Sequence, residues 1–180
     1  FVDVSQNNHN KGQKHYDLPQ QRRQQIADNP RPLNNVKVYG ADGGRFGSSR
    51  DGIERFWRNI FGGLAATRFH RPDAGLGLSP PAPRNIQSAR EVTGAFDIFS
   101  CEPHNDLLSD RGDNEAYCLA NPGGQFAVYF PAAGEVRLAL QPALQPGAKL
   151  RWYDIDRGRW QPAMEVSGNA IQLKTPGEGQ

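Results

Sequence analysis

The pattern of apolar and polar positions changes near residue 110 of this chain. Before that point, three short apolar runs are typical of β-strands: Phe1–Val4, Val36–Tyr39 and Ala66–His70. The clearest amphipathic helix lies between the last two runs, and its apolar residues recur with a period of 3.6: Ile53, Phe56, Trp57, Ile60, Phe61 and Leu64. We also expect a polar helix over Pro19–Ala27 and an amphipathic helix over Ile86–Phe96. Strands that alternate with helices indicate parallel βα units.

From about residue 113 the pattern has a period of two and shows no helical period. Five short strands are predicted: Glu115–Leu119, Gln125–Phe130, Glu135–Leu140, Lys149–Asp154 and Ala170–Leu173. Turn residues separate them, as in Asn121–Gly124 and Gln145–Gly147. This spacing predicts a small antiparallel β-sandwich, and the Pro-containing segment Cys101–Leu108 is interpreted as the linker before it. We therefore expect two domains, residues 1–110 and 111–180, with an α/β fold followed by an all-β fold.

Composition excludes two classes of function. The 180 residues carry a formal charge of +2, with basic and acidic residues interspersed, so no electrostatic footprint for nucleic acid is visible. No apolar run approaches the ~20 residues needed to span a bilayer. A hydrophobic content of 37% and a mean hydropathy of −0.71 are low for a globular protein, but the aromatic residues are spread along most of the chain, which argues against disorder.

Two cysteines, Cys101 and Cys118, leave two alternatives open. A single disulfide would form in an oxidising compartment, whereas two buried free thiols would serve as small apolar side chains. Neither cysteine belongs to a pair with metal-ligand spacing. The sequence therefore predicts no metal site and no cofactor.

Polar side chains cluster just after each of the three predicted parallel strands, where α/β barrels assemble their active sites. Amide, imidazole, guanidinium and aromatic groups of this kind bind sugar hydroxyls and sugar faces. The candidate substrate-binding residues are Asn8, His9, His15, Tyr39, Arg68 and His70. For each cluster taken alone, an ordinary solvated loop is the alternative interpretation.

Asp42 is the candidate catalytic carboxylate. Glycoside hydrolysis generally uses two carboxylates, one of which acts as nucleophile or base, and Asp42 lies at the end of the second predicted strand, three residues after Tyr39. An Asp flanked by glycines in a turn is also a common structural residue, and that alternative stays open.

Several segments resemble apiosidase-like glycoside hydrolases. The residues Arg50–Ala65 and Arg68–Pro72 resemble the last helix–strand unit of that family, and Ile86–Phe96 resembles its exit helix. The segments Asn114–Gly123 and Ala127–Pro131 are similar to the family's C-terminal β-sandwich, a module often described as collagen-binding.

The resemblance implies that the chain is the C-terminal part of a longer, secreted glycoside hydrolase. Its first part would be the last three βα units of a (β/α)₈ barrel, followed by a sandwich whose last strand is truncated. The mechanism would be retaining, with one carboxylate upstream of Phe1 and a second after the seventh barrel strand. At that place the family has Asn-Gly-Glu-Pro, whereas this chain has Tyr39-Gly40-Ala41-Asp42, so Asp42 would have to replace the glutamate.

The expected substrate is a side chain of a plant or bacterial polysaccharide, and the expected location is extracellular or periplasmic. The expected partners are carbohydrate and a possible protein ligand of the sandwich, with neither nucleic acid nor membrane. Two alternatives stay open: a non-catalytic module that binds carbohydrate or collagen, and a purely structural sandwich that shields the barrel and needs no ligand. Trp152, Tyr153 and Trp160 are the aromatic residues that would form the binding surface of the non-catalytic module.

Overall fold

A computed structural model describes residues 1–42, 45–121 and 124–177 of the chain. The chain divides into two compact units, Phe1–Asn85 and Ile86–Gln180. This division concerns compactness alone, and the domain boundary expected near residue 110 stays a prediction.

The first unit is built on a parallel three-stranded sheet in the order β1-β2-β3. Its strands are β1 (Val2–Asp3), β2 (Leu33–Val38) and β3 (Ala66–Phe69). The predicted parallel pairing of three strands is confirmed, but β2 begins at Leu33 rather than at Val36, and its pairing with β1 is through Leu33 and Asn34. Helix α1 (Gly12–Gln25) connects β1 to β2, and helix α2 (Ser49–Phe61) connects β2 to β3. Helix α3 (Pro81–Ala95) follows β3 along the chain.

Helix α2 forms where its apolar period predicts it. Ser48 caps the helix, because its side chain accepts a hydrogen bond from the Asp51 amide while the Asp51 carboxylate accepts one from the Ser48 amide. Phe56 stacks on Phe69 of β3 with ring centroids 4.7 Å apart. The buried Trp57 donates its indole N–H to the Asn85 side chain. The helix is thus fixed against one face of the sheet.

Helix α1 begins seven residues before the predicted start at Pro19, so the loop expected around His15 is helical instead. The sequence gives little sign of this, because the helix is polar along most of its length. Tertiary contacts explain it: Gln20 and Arg23 donate hydrogen bonds to the carbonyls of Gly62 and Gly63, at the end of α2. These bonds satisfy carbonyls that a helix end leaves without partners.

The second unit is rich in antiparallel strands. One sheet has the order β4-β6-β7 and another has the order β11-β8-β5, while β9 and β10 form a separate hairpin. Their bounds are β4 Glu102–Pro103, β5 Leu108–Ser109, β6 Tyr117–Asn121, β7 Gln125–Tyr129, β8 Glu135–Leu150, β9 Tyr153–Asp154, β10 Arg159–Trp160 and β11 Met164–Lys174. Short 3₁₀ turns span Ile98–Ser100 and Asn105–Leu107.

The core of this unit draws its buried side chains from both three-stranded sheets. It consists of Ala116, Cys118, Ala120, Phe130, Val136, Leu138, Leu140 and Leu173. Ala116, Cys118 and Ala120 lie at every second position in and just before β6, and Val136, Leu138 and Leu140 do so in β8. This is the strand period that the sequence predicts.

Two predictions for this unit were wrong. The expected turn at Gln145–Gly147 lies inside β8, which continues because β11 pairs with it from Glu135 to Leu150. The register shifts near Gly168, so the Pro and Gly residues there mark an irregularity in the pairing rather than a chain reversal. The segment Cys101–Leu108, interpreted as a linker, contains β4 and a 3₁₀ turn, because its backbone pairs with β6.

Three further findings concern the described ranges 1–42, 45–121 and 124–177. No helix there combines the length and apolar character needed to cross a bilayer. No group of three or more potential metal-binding side chains comes together there. Cys101 and Cys118 are both buried free thiols. The Gly43-Gly44 part of the loop after β2 and the Pro122-Gly123 part of a predicted turn lie outside the described residues.

Candidate functional site

The carboxyl end of the parallel sheet carries an aromatic cluster. Tyr39 follows β2 and His70 follows β3, and their rings meet edge to face with centroids 5.0 Å apart. Phe46 stacks on Tyr39 with a centroid distance of 5.2 Å, and the Arg45 guanidinium lies 5.0 Å from the Phe46 ring centroid. Parallel strands bring their carboxyl ends to one edge of a sheet, which explains why residues 31 positions apart in sequence touch here.

The backbone beneath this cluster is closely packed. The Val38 carbonyl accepts a hydrogen bond from the His70 amide, and the Ala74 carbonyl accepts one from the Gly40 amide. Gly40 has a φ of +123°, and a Cβ added there would lie 2.4 Å from the Gly52 nitrogen and 2.6 Å from the Ser48 oxygen. Only glycine therefore lets the chain leave β2 against the first turn of α2.

Asn8 and His9 lie in the loop after β1. The Asn8 side chain donates to the Arg45 carbonyl at 3.2 Å, which joins this loop to the aromatic cluster after β2. His9 is exposed, and its amide donates to the Asn7 side chain. The prediction placed both residues at the same end of the sheet as Tyr39, and the hydrogen bond to Arg45 fits that placement.

Arg68 is exposed on β3 itself. Its Nε and Nη2 atoms both donate to the Val36 carbonyl, at 3.3 and 3.2 Å. The pairing of β2 with β3 shifts register between Asn35 and Val38, which leaves the Val36 carbonyl able to accept these bonds. Thr67 and Phe69 contact α2, so Arg68 lies on the sheet face opposite that helix.

His15 is not at the surface. It lies in α1, is 1% exposed, and has no hydrogen-bond partner at Nδ1. Burial, reinforced by the positive charges of Arg58 and Arg55, holds the pKa of this imidazole well below its usual value. A neutral, enclosed imidazole of this kind is packed inside the unit, whereas the prediction placed it among the substrate-binding side chains.

Asp42 is exposed and occupied by local hydrogen bonds. Its Oδ1 accepts from the Ser49 amide at 2.8 Å, and its own amide donates to the Ser49 hydroxyl at 3.3 Å. The bond from the Ser49 amide, followed by that from the Ser49 side chain, lowers the pKa of this carboxyl. Asp42 is therefore ionised at neutral pH, the state that a nucleophile or base needs and a general acid does not.

His70 has a lowered pKa as well, mainly through partial burial and then through the charge of Arg71. The ring is accordingly neutral near pH 7 and offers one donor and one acceptor nitrogen, a combination suited to hydroxyl groups.

Sequence reasoning missed Arg55, which joins the loops after β1 and β2 at this edge. This buried side chain of α2 donates from Nη2 to the Asn8 carbonyl and from Nη1 to the Tyr39 carbonyl, each at 2.9 Å. Its Nε donates to the Asn10 carbonyl at 3.2 Å. The sequence carries little signal for this role, because Arg55 stands between Glu54 and Phe56 and its partners are backbone carbonyls, which have no side-chain pattern.

The structure as a whole resembles those of known glycoside hydrolases. A glycoside hydrolase family 5 protein from Bacteroides vulgatus ATCC 8482 matches with a TM-score of 0.66 and 14% identity, over 91% of this chain and 42% of that one. A second glycoside hydrolase matches with a TM-score of 0.68 and 12% identity, over 92% of this chain and 43% of that one. No family model and no curated protein matches the chain.

These similarities define a glycoside hydrolase-like fold of mixed α/β character. The chain spans less than half the length of the two proteins that it matches.

Proposed function

We propose that this chain is the carbohydrate-binding, C-terminal part of a glycoside hydrolase-like protein that acts on side chains of polysaccharides. The Tyr39–His70 contact at the carboxyl end of the parallel sheet carries the proposal. In α/β barrels this end holds the active site, and an aromatic ring beside a neutral imidazole offers both an apolar surface and hydrogen bonds to a sugar.

The fold proposed for the whole protein is a (β/α)₈ barrel with a β-sandwich after it. Strands β1 to β3 with α1 and α2 would be its last βα units, and the sheets of the second unit would be the sandwich. The parallel order β1-β2-β3 supports the barrel, and the core shared by the two antiparallel sheets supports the sandwich. Extracellular or periplasmic location is part of the same proposal.

In the proposed retaining mechanism Asp42 is the nucleophile. Its lowered pKa and its exposure fit that role, and its bonds to Ser49 would hold the carboxylate in one orientation. Asn8, His9, Arg68 and His70 would bind sugar hydroxyls, while Tyr39 would contact the sugar ring. The second catalytic carboxylate, the general acid/base, would come from a barrel strand other than β1, β2 and β3.

Two measurements test this proposal. On the chain itself, NMR titration with xylotetraose, arabinotriose and trigalacturonate should shift the His70 imidazole signals, and Tyr39→Ala should abolish the shift. On the whole protein, release of reducing sugar from plant polysaccharides should fall at least about a hundredfold in Asp42→Asn. Asp73→Asn is the matched control, because Asp73 is an exposed carboxylate near His70 that pairs with Arg71.

Each failure has its own meaning. If no sugar moves the His70 signals, the carbohydrate site is absent. If sugars bind but Asp42→Asn hydrolyses as fast as Asp73→Asn, Asp42 is not the nucleophile.

The hairpin of β9 and β10 supports a second proposal, binding of polysaccharide or of a protein such as collagen by the second unit. Tyr153 meets Trp160 edge to face at 4.9 Å, and the Arg151 guanidinium lies 4.5 Å from the Trp160 ring centroid. Trp152 instead packs against Phe130 in the core. Trp160→Ala in the full chain should weaken retention on insoluble polysaccharide or collagen. This role would be refuted if the variant were retained as well as the wild type, or if the wild type were not retained at all.

A further inference from the structure

Arg55 differs from the other buried cation of α2 in what it contacts. Arg58 lies on the same helix, is 1% exposed and pairs with the Glu54 carboxylate at 2.9 Å. Arg55 is 2% exposed and makes its three hydrogen bonds to backbone carbonyls alone, in two loops that the chain separates by about thirty residues. Burying an ionised group is costly, and burial accordingly lowers the pKa of this guanidinium.

The three acceptors lie where the sugar site is proposed. Asn8 and Asn10 belong to the loop after β1, and Tyr39 begins the loop after β2. A guanidinium is a rigid planar fork, so bonding all three carbonyls at once fixes the distance and angle between the two loops. An ammonium has no such fork, and a lysine could not reproduce this geometry.

We propose that Arg55 is the positioning residue of the carbohydrate site: its buried guanidinium sets the spacing between the Asn8 loop and Tyr39. This inference rests on the proposed function and adds the residue that assembles the site from behind. Arg55 does not touch the sugar. It holds the backbone from which Asn8, His9 and Tyr39 extend.

The test compares Arg55→Lys with Arg58→Lys in the full chain. Both variants replace a buried arginine of α2 by lysine, but only the first removes the fork between the loops. We expect xylotetraose, arabinotriose or trigalacturonate to bind Arg55→Lys at least about tenfold more weakly than wild type, since charge-assisted hydrogen bonds are among the stronger ones. Binding to Arg58→Lys should stay within about twofold of wild type.

Urea unfolding of both variants is measured alongside binding, because a similar loss of stability in the two variants would not explain weaker binding in Arg55→Lys alone. Amide exchange at Asn10 and Ala41 should also accelerate in Arg55→Lys, because these loop amides donate to Asn7 and Gly47 within the same two loops. The Trp57 indole, bonded to Asn85, should keep its exchange rate. Equal weakening of binding in both variants would overturn the proposal.

A wild-type measurement covers the case in which Arg55→Lys does not fold. The Arg55 guanidinium protons should give resolved, slowly exchanging NMR signals that slow further when a sugar binds, and fast exchange in free and bound states would overturn the proposal. If wild type binds none of the three sugars, the proposed function fails and this inference falls with it. If wild type binds and the two variants behave alike, only the inference fails.

Discussion

Substituting Gly52 by Ala should destabilise the first unit, although the same change in a helix generally stabilises. Gly52 lies buried in the first turn of α2, directly against the strand exit at Gly40. A Cβ there would lie 2.8 Å from the Gly40 carbonyl oxygen and 3.4 Å from that of Tyr39. Both are backbone atoms, so the strand end and the helix must move apart to admit the methyl group.

Two opposing terms set the magnitude. Replacing Gly by Ala inside a helix gains up to about 1 kcal/mol of intrinsic propensity. Overpacking a tight contact costs about 1–3 kcal/mol. We therefore expect a net loss of about 1 kcal/mol in the free energy of unfolding.

Gly94 provides the matched control. It lies in α3, and a Cβ added there would meet nothing within 4 Å. Gly94→Ala should therefore stabilise by about 0.5 kcal/mol, less than the full propensity difference because the position is in the last turn.

The assay is urea unfolding, followed at the Trp57 indole signal for Gly52→Ala and at the Trp152 signal for Gly94→Ala. Opposite signs for the two variants support the reasoning. If Gly52→Ala stabilises as much as Gly94→Ala, the contact with Gly40 is not tight and the packing argument is refuted.

Three further predictions concern buried groups. Because the folded-state pKa of His15 is depressed, the unfolded chain binds a proton that the folded chain does not, and stability should fall as the pH drops below about 6.5, by at most about 1.4 kcal/mol per pH unit. Urea unfolding at pH 7.5 and 5.5 should therefore show a smaller loss of stability in His15→Gln than in the wild type, and an equal loss would contradict this. Burial raises the pKa of Cys118 to about 12, so native-state alkylation followed by mass spectrometry should modify it more slowly than Cys101, and equal rates for the two thiols would contradict this. Leu138→Ala should cost about 2–5 kcal/mol in chemical unfolding and the exposed Met164→Ala less than about 0.5 kcal/mol, and similar values for the two would disprove the assigned core.

The elements with a strong period were predictable. The stripe from Ile53 to Leu64 predicted α2, and the alternation in Val136, Leu138 and Leu140 predicted buried positions of β8. In both cases the burial of one face follows directly from the spacing of apolar residues. The prediction that Tyr39 and His70 lie at one end of the sheet also followed from the strand order alone.

Elements held by long-range contacts were not predictable. Helix α1 depends on bonds from Gln20 and Arg23 to the end of α2, and β8 continues through Gln145–Gly147 because β11 lies beside it. In such segments, the local turn and helix preferences are weak compared with the hydrogen bonds that the tertiary partner provides.

The sequence by itself determined which side chains are available for chemistry: Asp42, Tyr39, His70 and the polar residues of the loop after β1. The tertiary structure alone decided their states, placing His15 inside the unit, directing Asp42 to Ser49 and setting Arg55 between two loops. The physical reason is that the identity of a side chain is given by its own position in the sequence. Its burial, its charge environment and the carbonyl partners of a guanidinium depend on segments that meet only after folding.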